Sequence, residues 1–176
     1  MTTTFSHVLE PTTLGSLRLR NRVVMVPMGT EMGDRDGHLT DREVAYYAER
    51  AQGAGLVCTG INAVTDDYEV INEGLGLVDT DAATPGLTKL AEAFHARGGA
   101  VSVQLTAGLG RNINNIDPER LPISASDNGH WLDPNVKCRA LETDEIKVIV
   151  QRFKEAAARC LEAGIDAIDI HGHTGY

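Results

Sequence analysis

Polar side chains and glycines follow four apolar segments of the chain. Residues 27–30 come directly after the first segment, and residues 59–62 lie at the end of the second. Gln104 ends the third segment, and residues 171–176, HGHTGY, follow the fourth. The carboxyl ends of parallel strands meet at one edge of a sheet, where α/β proteins bind their ligands. Glycine backbone and a glutamine amide at that edge suit a flat, uncharged ring with amide-like edges, which is the chemistry of a flavin.

The elements that would position these groups alternate regularly along the chain. Apolar strands are predicted over residues 22–28, 55–61, 100–105 and 165–170, and helices are predicted to begin at Thr40, near Thr84 and at Thr143. Thr40 is followed three residues later by Glu43, and this Thr-x-x-Glu spacing is typical of a helix-capping box. A β-α-β-α-β-α-β order implies a parallel sheet with right-handed crossovers.

Two architectures have this alternation, a doubly wound sheet and a (β/α)8 barrel. A dinucleotide-binding doubly wound sheet needs G-x-G-x-x-G after its first strand, whereas this chain reads VPMGTEMGDRDG there. A barrel needs eight strands and typically about 250 residues, and this chain has four strands in 176 residues. We therefore expect an α/β fold, the N-terminal half of a TIM (β/α)8 barrel, as one domain over residues 1–176 that is truncated after the fourth strand. Its open sheet edges would need a partner.

The composition of the chain limits the classes of binding partner and the cellular compartment that we expect. There are 25 Asp and Glu against 16 Lys and Arg, a formal net charge of −9, which disfavours nucleic acid and anionic membranes as partners. The longest apolar run, residues 23–28, is far shorter than the roughly 20 residues that span a bilayer. The N-terminus lacks the pattern of a secretory signal, and the three cysteines form no close pair. These features favour a cytoplasmic location.

The segment from residue 106 to residue 142 contains no convincing long helix or strand. Loops longer than about 15 residues in a compact domain are usually functional or disordered. We expect this segment to be either a lid over the carboxyl ends of the strands or a poorly ordered surface loop.

Four stretches of the sequence resemble the old yellow enzyme family of NADH:flavin oxidoreductases. LRLRNRVVMVPM resembles the first-strand motif of the family, and DGHLTDREVAYYAERAQGAGL resembles its first-helix motif. VSVQLTAGLGR and AGIDAIDIHGHTGY are similar to the motifs of its third and fourth strands. They occur in the family's order and at fitting spacings over essentially the whole chain. The VPMGT and QLTAGLGR variants are most similar to the enoate reductase, 2,4-dienoyl-CoA reductase and bile-acid reductase branch.

The resemblance implies roles for individual residues. It places six residues against FMN, with the amide of the last bonded to the flavin pyrimidine edge: Pro27, Met28, Gly29, Thr30, Gly60 and Gln104. His171 matches the histidine that polarises the substrate carbonyl, and Tyr176 matches the tyrosine that protonates the substrate. The family usually has His or Asn three residues after that histidine, whereas this chain has Thr174 there and a histidine at His173. We expect Thr174 or His173 to complete the carbonyl clamp; no metal ligand is implied.

The implied reaction is the FMN-dependent reduction of an activated alkene by NADH or NADPH. An enone, enoate or enoyl thioester would receive hydride at its β-carbon and a proton from Tyr176 at its α-carbon. The family's phosphate-binding loops lie in the second half of the barrel, so activity is expected to be complete only with that half. A [4Fe-4S] cluster and FAD would belong only to a longer parent chain. The expected partners are the small-molecule substrate and either a second copy of the chain or a complementary half-barrel.

Two other functions remain open from the residues. A half-barrel could be a non-catalytic remnant, or a subunit that folds by association. The His171-Gly172-His173 sequence also resembles the H-x-H zinc pair of metal-dependent barrel hydrolases. The remaining histidines are scattered along the sequence, so no second ligand cluster accompanies this pair.

Overall fold

The structure, a computed structural model, describes residues 5–68, 71–114, 116–117 and 119–176. Its helices and strands are α1 (Ser6–Leu9), β1 (Thr12–Leu14), β2 (Leu17–Leu19), β3 (Val24–Met25), α2 (Asp41–Arg50), β4 (Leu56–Ala63), β5 (Gly76–Leu77), α3 (Thr84–His95), β6 (Ala100–Thr106), β7 (Ile123–Ser124), β8 (Arg139–Ala140), α4 (Thr143–Glu162) and β9 (Ala167–Ile170). The three long helices begin at or next to the predicted residues.

The central sheet has the strand order β3-β4-β6-β9, and every pairing in it is parallel. The predicted alternation of strand and helix is therefore confirmed, and with it the α/β fold class. The first strand is shorter than predicted, since only Val24–Met25 pairs with β4. Its pairing ends just before Pro27, which has no amide hydrogen to donate to a sheet.

Strand alternation gives the sheet two different faces. One face carries Val57, Val101 and Val103, which are fully buried against the helices in the main core. The other face carries Leu56 and Cys58, which form a small cluster with Ala100 and Leu19. In a closed barrel this second face is the interior.

An N-terminal hairpin lies at the amino-terminal end of the sheet and was not predicted. β1 and β2 pair antiparallel around a two-residue turn in which Gly15 has a φ of +58°. The local signal was present in the sequence, since Gly-Ser between short alternating segments is typical of a tight hairpin. The hairpin brings Leu19 onto the interior-side cluster.

Helix α4 buries only part of the apolar stripe that recurs at helical spacing in its sequence. Ile149 is buried and Phe153 packs against the core, but Ile146, Val150 and Leu161 are exposed. These three residues lie on the side of α4 that the described sheet does not cover.

The described residues of the long segment after β6 contain short elements that the sequence did not predict. It contains a short 3-10 helix, Gly110–Asn112, and a small parallel sheet formed by β7 and β8. The buried His130 anchors it through a hydrogen bond of 2.6 Å between its Nε2 and the Ile113 carbonyl oxygen. Among the described residues, no helix is long and apolar enough to cross a membrane.

Candidate functional site

A cleft of about 300 Å³ lies at the carboxyl ends of β3, β4, β6 and β9. It is lined by eight of the ten residues singled out from the sequence: Pro27, Gly29, Gly60, Gln104, His171, His173, Thr174 and Tyr176. The topology explains this convergence, because parallel neighbouring strands end on the same side. The lining also includes Glu31, Asn112 and Asn114.

The floor of the cleft is formed by two backbones in close approach. A Cβ atom on Gly60 would lie 2.6 Å from the Gly29 Cα and 2.8 Å from the Met28 carbonyl oxygen. Real Cβ atoms do not come this close, so only glycine fits at position 60 without moving the neighbouring chain. The pairing of β4 with β6 shifts register between Cys58 and Ile61, which places Gly60 within a bulge.

Met28 and Thr30, the other two predicted FMN contacts, do not line the cleft, and each has one group bonded to helix α2. The Met28 carbonyl oxygen accepts a hydrogen bond of 2.9 Å from the Tyr47 hydroxyl. The Thr30 hydroxyl donates to the Glu43 carboxylate at 2.5 Å. Glu43 therefore bonds a loop residue rather than completing a capping box, although the Thr40 hydroxyl does accept the Glu43 amide.

Gln104 is buried on the barrel-interior face of β6. Its register partner on β9 is Asp169, and the Gln104 side-chain nitrogen donates to an Asp169 carboxylate oxygen at 3.1 Å. A primary amide has two N–H donors and an acceptor oxygen. The Asp169 contact fixes which end of the Gln104 amide carries the nitrogen and holds it at the cleft.

His171 and Tyr176 are in contact at the mouth of the cleft. Their ring centroids are 4.6 Å apart in an edge-to-face arrangement. Burial lowers the pKa of His171 from its usual 6.5, and nearby His173 acts in the same direction, whereas Asp169 opposes them. His171 is therefore a neutral imidazole at pH 7, able to donate one hydrogen bond.

The turn that carries Tyr176 is held by the long segment after β6. Asn112 donates to the Thr174 carbonyl oxygen at 3.1 Å, and the Arg111 amide donates to the Gly175 carbonyl oxygen at 3.3 Å. Thr174 has a φ of +57°, which is uncommon for a β-branched residue and typical of functional sites. The segment thus fixes the turn that places Thr174 and Tyr176.

The metal-hydrolase hypothesis gains no support from this geometry. In the described part of the chain, the one group of three side chains close enough to share a metal ion is Asp34, Asp36 and His38. It lies in the loop before α2 and does not include His171 or His173. Asp34 already caps the backbone amides of Asp36 and His38, at 2.9 and 2.8 Å.

Sequence reasoning missed the residues on α2 and β9 that bond to the residues of the site. Tyr47 and Glu43 lie four residues apart, so they share a face of α2, and Asp169 shares a face with His171 two residues later. These spacings were visible in the sequence. Their partners were not, because those lie on other strands and loops.

Comparisons with known proteins agree with the geometry. A family model described as the NADH:flavin oxidoreductase / NADH oxidase family matches residues 7–176. The chain is 32% identical to cinnamate reductase from Clostridium sporogenes, over 98% of the chain and 27% of that protein. It is 35% identical to NADPH dehydrogenase from Bacillus pumilus, over 97% of the chain and 49% of that protein.

A solved structure gives the same result. Morphinone reductase in complex with tetrahydroNAD superposes with a TM-score of 0.82 at 30% identity, covering 93% of this chain and 48% of that one. This chain thus spans no more than about half the length of these relatives.

Proposed function

The chain belongs to the NADH:flavin oxidoreductase / NADH oxidase family, the old yellow enzymes, and on that premise we propose that it forms the flavin- and substrate-facing half of an FMN-dependent alkene reductase. One observation carries the proposal. A single cleft collects the glycine floor, the glutamine amide, the neutral histidine and the tyrosine that this chemistry requires.

The residues of the cleft fit the flat ring system of FMN. A Cβ on Gly29 would meet no atom within 4 Å, so the space beside this backbone is open to a ring, and Gly60 allows the two backbones of the floor to approach closely. The Gln104 amide presents both donor and acceptor character to the pyrimidine edge, and Pro27 borders the same cleft. Bound FMN supplies the hydride transfer that no amino-acid side chain can perform.

His171 is placed to hold the substrate carbonyl. A neutral imidazole donates a hydrogen bond to the carbonyl oxygen, and that bond strengthens as negative charge develops there. Thr174 or His173, both at the cleft, is the second donor. Because its pKa is lowered, His171 keeps this role throughout the neutral pH range.

Tyr176 is the proton donor in this proposal. Its hydroxyl would deliver a proton to the α-carbon of an alkene whose β-carbon receives the hydride that bound FMN would supply. The edge contact with His171 keeps the two donors at adjacent positions. Asn112 and Arg111 fix the turn that carries Tyr176, which preorganises the donor.

The remainder of the enzyme is proposed from the relatives. Residues 1–176 correspond to the N-terminal half of an FMN-binding barrel, with the second half providing the phosphate site. The substrate class is an enone, enoate or enoyl thioester, in line with the names cinnamate reductase and morphinone reductase. NADH or NADPH is the reductant, and a [4Fe-4S] cluster and FAD would occur only in a longer parent. The three cysteines are buried and form no close pair in the sequence, which suits a cytoplasmic location.

A redox cycle tests the proposal. The chain, with its complementary half if one is required, is loaded with FMN and desalted, then treated with NADH or NADPH and with cyclohexenone. We expect the flavin absorbance to bleach with the nicotinamide and to return with the enone. His171→Ala should slow the second step by about 10²–10³-fold while leaving the bleaching in place. Retained flavin that the enone cannot reoxidise would favour a non-catalytic half-barrel.

A further inference from the structure

Alternate residues of the loop between β3 and α2 contact different parts of the protein. Three groups in it bond to helix α2 or its cap: the Met28 carbonyl to Tyr47 at 2.9 Å, the Thr30 hydroxyl to Glu43 at 2.5 Å, and the Met32 carbonyl to Thr40 at 2.8 Å. We call Thr40, Glu43 and Tyr47 the α2 clamp. Over residues 28–32, the clamp contacts every second residue of the loop.

The residues between these contacts face the cleft. Pro27, Gly29 and Glu31 all line it, whereas Met28 and Thr30 do not. The hydrogen bonds of Met28, Thr30 and Met32 to the clamp fix the course of this loop and leave Pro27, Gly29 and Glu31 beside the cleft. Glu31 has a φ of +51°, which is unusual for a non-glycine residue and indicates that the loop is held by its surroundings.

Tyr47 forms hydrogen bonds to both backbone segments of the cleft floor. Its hydroxyl accepts the Gly60 amide at 2.7 Å and donates to the Met28 carbonyl at 2.9 Å. It thus links β4 to the loop at the point where Gly60 and Gly29 nearly touch. The side chain is 1% exposed, and burial raises its pKa to about 12, so the hydroxyl keeps its proton and remains a donor.

We propose that Tyr47 is a positioning residue for the flavin: through the Met28 carbonyl and the Gly60 amide, it sets the spacing of the backbone against which the ring binds. The inference rests on the proposed function of the cleft. Tyr47 does not line the cleft, so its effect must travel through these two backbone groups.

The test compares Tyr47→Phe with Tyr46→Phe. Both variants remove one hydroxyl from adjacent residues of α2. Tyr46 is only partly buried, and its ring lies 5.3 Å from the Tyr47 ring and 3.5 Å from the Arg50 guanidinium. Each protein is examined in two ways, by amide hydrogen exchange at Gly60 without flavin and by the FMN dissociation constant. Binding is measured at a temperature where every variant is fully folded, so that lost stability does not affect it.

We expect Tyr47→Phe to speed exchange of the Gly60 amide and to raise the FMN dissociation constant about tenfold, with a shifted flavin absorbance band. Tyr46→Phe should match the wild type in all three respects. Faster exchange with unchanged FMN affinity and spectrum in Tyr47→Phe would overturn the positioning role and leave the proposed function standing. If the wild-type protein binds no FMN at all, the proposed function fails, and the role of Tyr47 toward the flavin fails with it.

Discussion

Two ionisable side chains near the cleft have shifted pKa values for the same physical reason. Burial disfavours charge, so it lowers the pKa of His171 and raises the pKa of Glu43. In both cases the neutral form is favoured. His171 can then act as a hydrogen-bond donor without introducing a full charge into the proposed flavin site.

The pH dependence of stability tests the state of Glu43. Its pKa in the folded chain lies above the usual 4.5, because burial outweighs the hydrogen bond from Thr30. The stability that the protonated carboxyl contributes is fully present below pH 4.5 and is lost as pH rises through the folded-state pKa. Glu43→Gln stays neutral and can still accept a hydrogen bond from Thr30. As pH rises through the folded-state pKa of Glu43, we therefore expect the unfolding free energy of Glu43→Gln to increase relative to that of the wild type.

Denaturant unfolding at a series of pH values from 4 to 8 measures the difference in unfolding free energy between Glu43→Gln and the wild type. Glu49→Gln makes the same change on the exposed face of α2 and should follow the wild-type pH profile. Parallel profiles for wild type and Glu43→Gln would mean that the carboxyl is not desolvated in the folded chain.

The residue types at the strand ends were enough to predict, from the sequence, most of the residues that line the cleft. Gln104, His171 and Tyr176 could be placed because each follows an apolar strand. The directions of Met28 and Thr30 could not be predicted, since they depend on Tyr47 and Glu43, whose hydrogen-bond partners form only after α2 packs on the sheet.

At the scale of elements, β4 and the loop that follows β3 approach each other closely at the floor of the cleft. Gly60 permits this contact, and Tyr47 bridges it. A methyl group at position 60 must push the loop away from β4 and widen the floor of the cleft.

Gly60→Ala therefore tests the packing of these two elements. We expect a loss of about 1–3 kcal/mol in unfolding free energy, typical of overpacking, together with lost flavin binding. Gly53→Ala is the matched control, because a Cβ there meets no atom within 4 Å and its backbone is not in the left-handed region. If Gly60→Ala binds flavin as tightly as Gly53→Ala, the close approach is not part of the site.

Helices were easier to predict than the shorter elements. The stripe of Leu87, Leu90, Ala91 and Phe94 on α3 is buried as the pattern indicated. β3 is short because its pairing depends on β4 and Pro27, and the β7–β8 sheet forms between residues far apart in sequence. Hydrophobic periodicity carries little information about two-residue strands.

At the scale of the whole molecule, the sheet is open at both sides. Among the described strands, β3 and β9 each have one neighbour. Val26 after β3 and Ile170 on β9 are 66% and 71% exposed. Unpaired edges next to exposed apolar side chains favour association, and we propose a complementary half-barrel or a second copy as the partner.

Sedimentation velocity tests this association. We expect the wild-type chain at micromolar concentrations to form dimers or larger species, and Ile170→Ser to shift it toward monomer. Leu161→Ser is the comparison variant, since Leu161 is 78% exposed and lies on the last turn of helix α4 instead of on a strand of the sheet. A compact wild-type monomer, or equal effects of the two variants, would count against the proposed partner surface.

The most direct test of the central claim is the binding of two flavins, FMN and riboflavin, by the 176-residue chain. None of the described residues that line the cleft is Lys or Arg, so we propose that the cleft recognises the ring and not the phosphate. Our account predicts that both flavins are retained through desalting, with dissociation constants within about threefold of each other, because the phosphate adds little without a cationic partner. Retention of neither flavin would contradict the claim that these residues form the ring-binding half of the site.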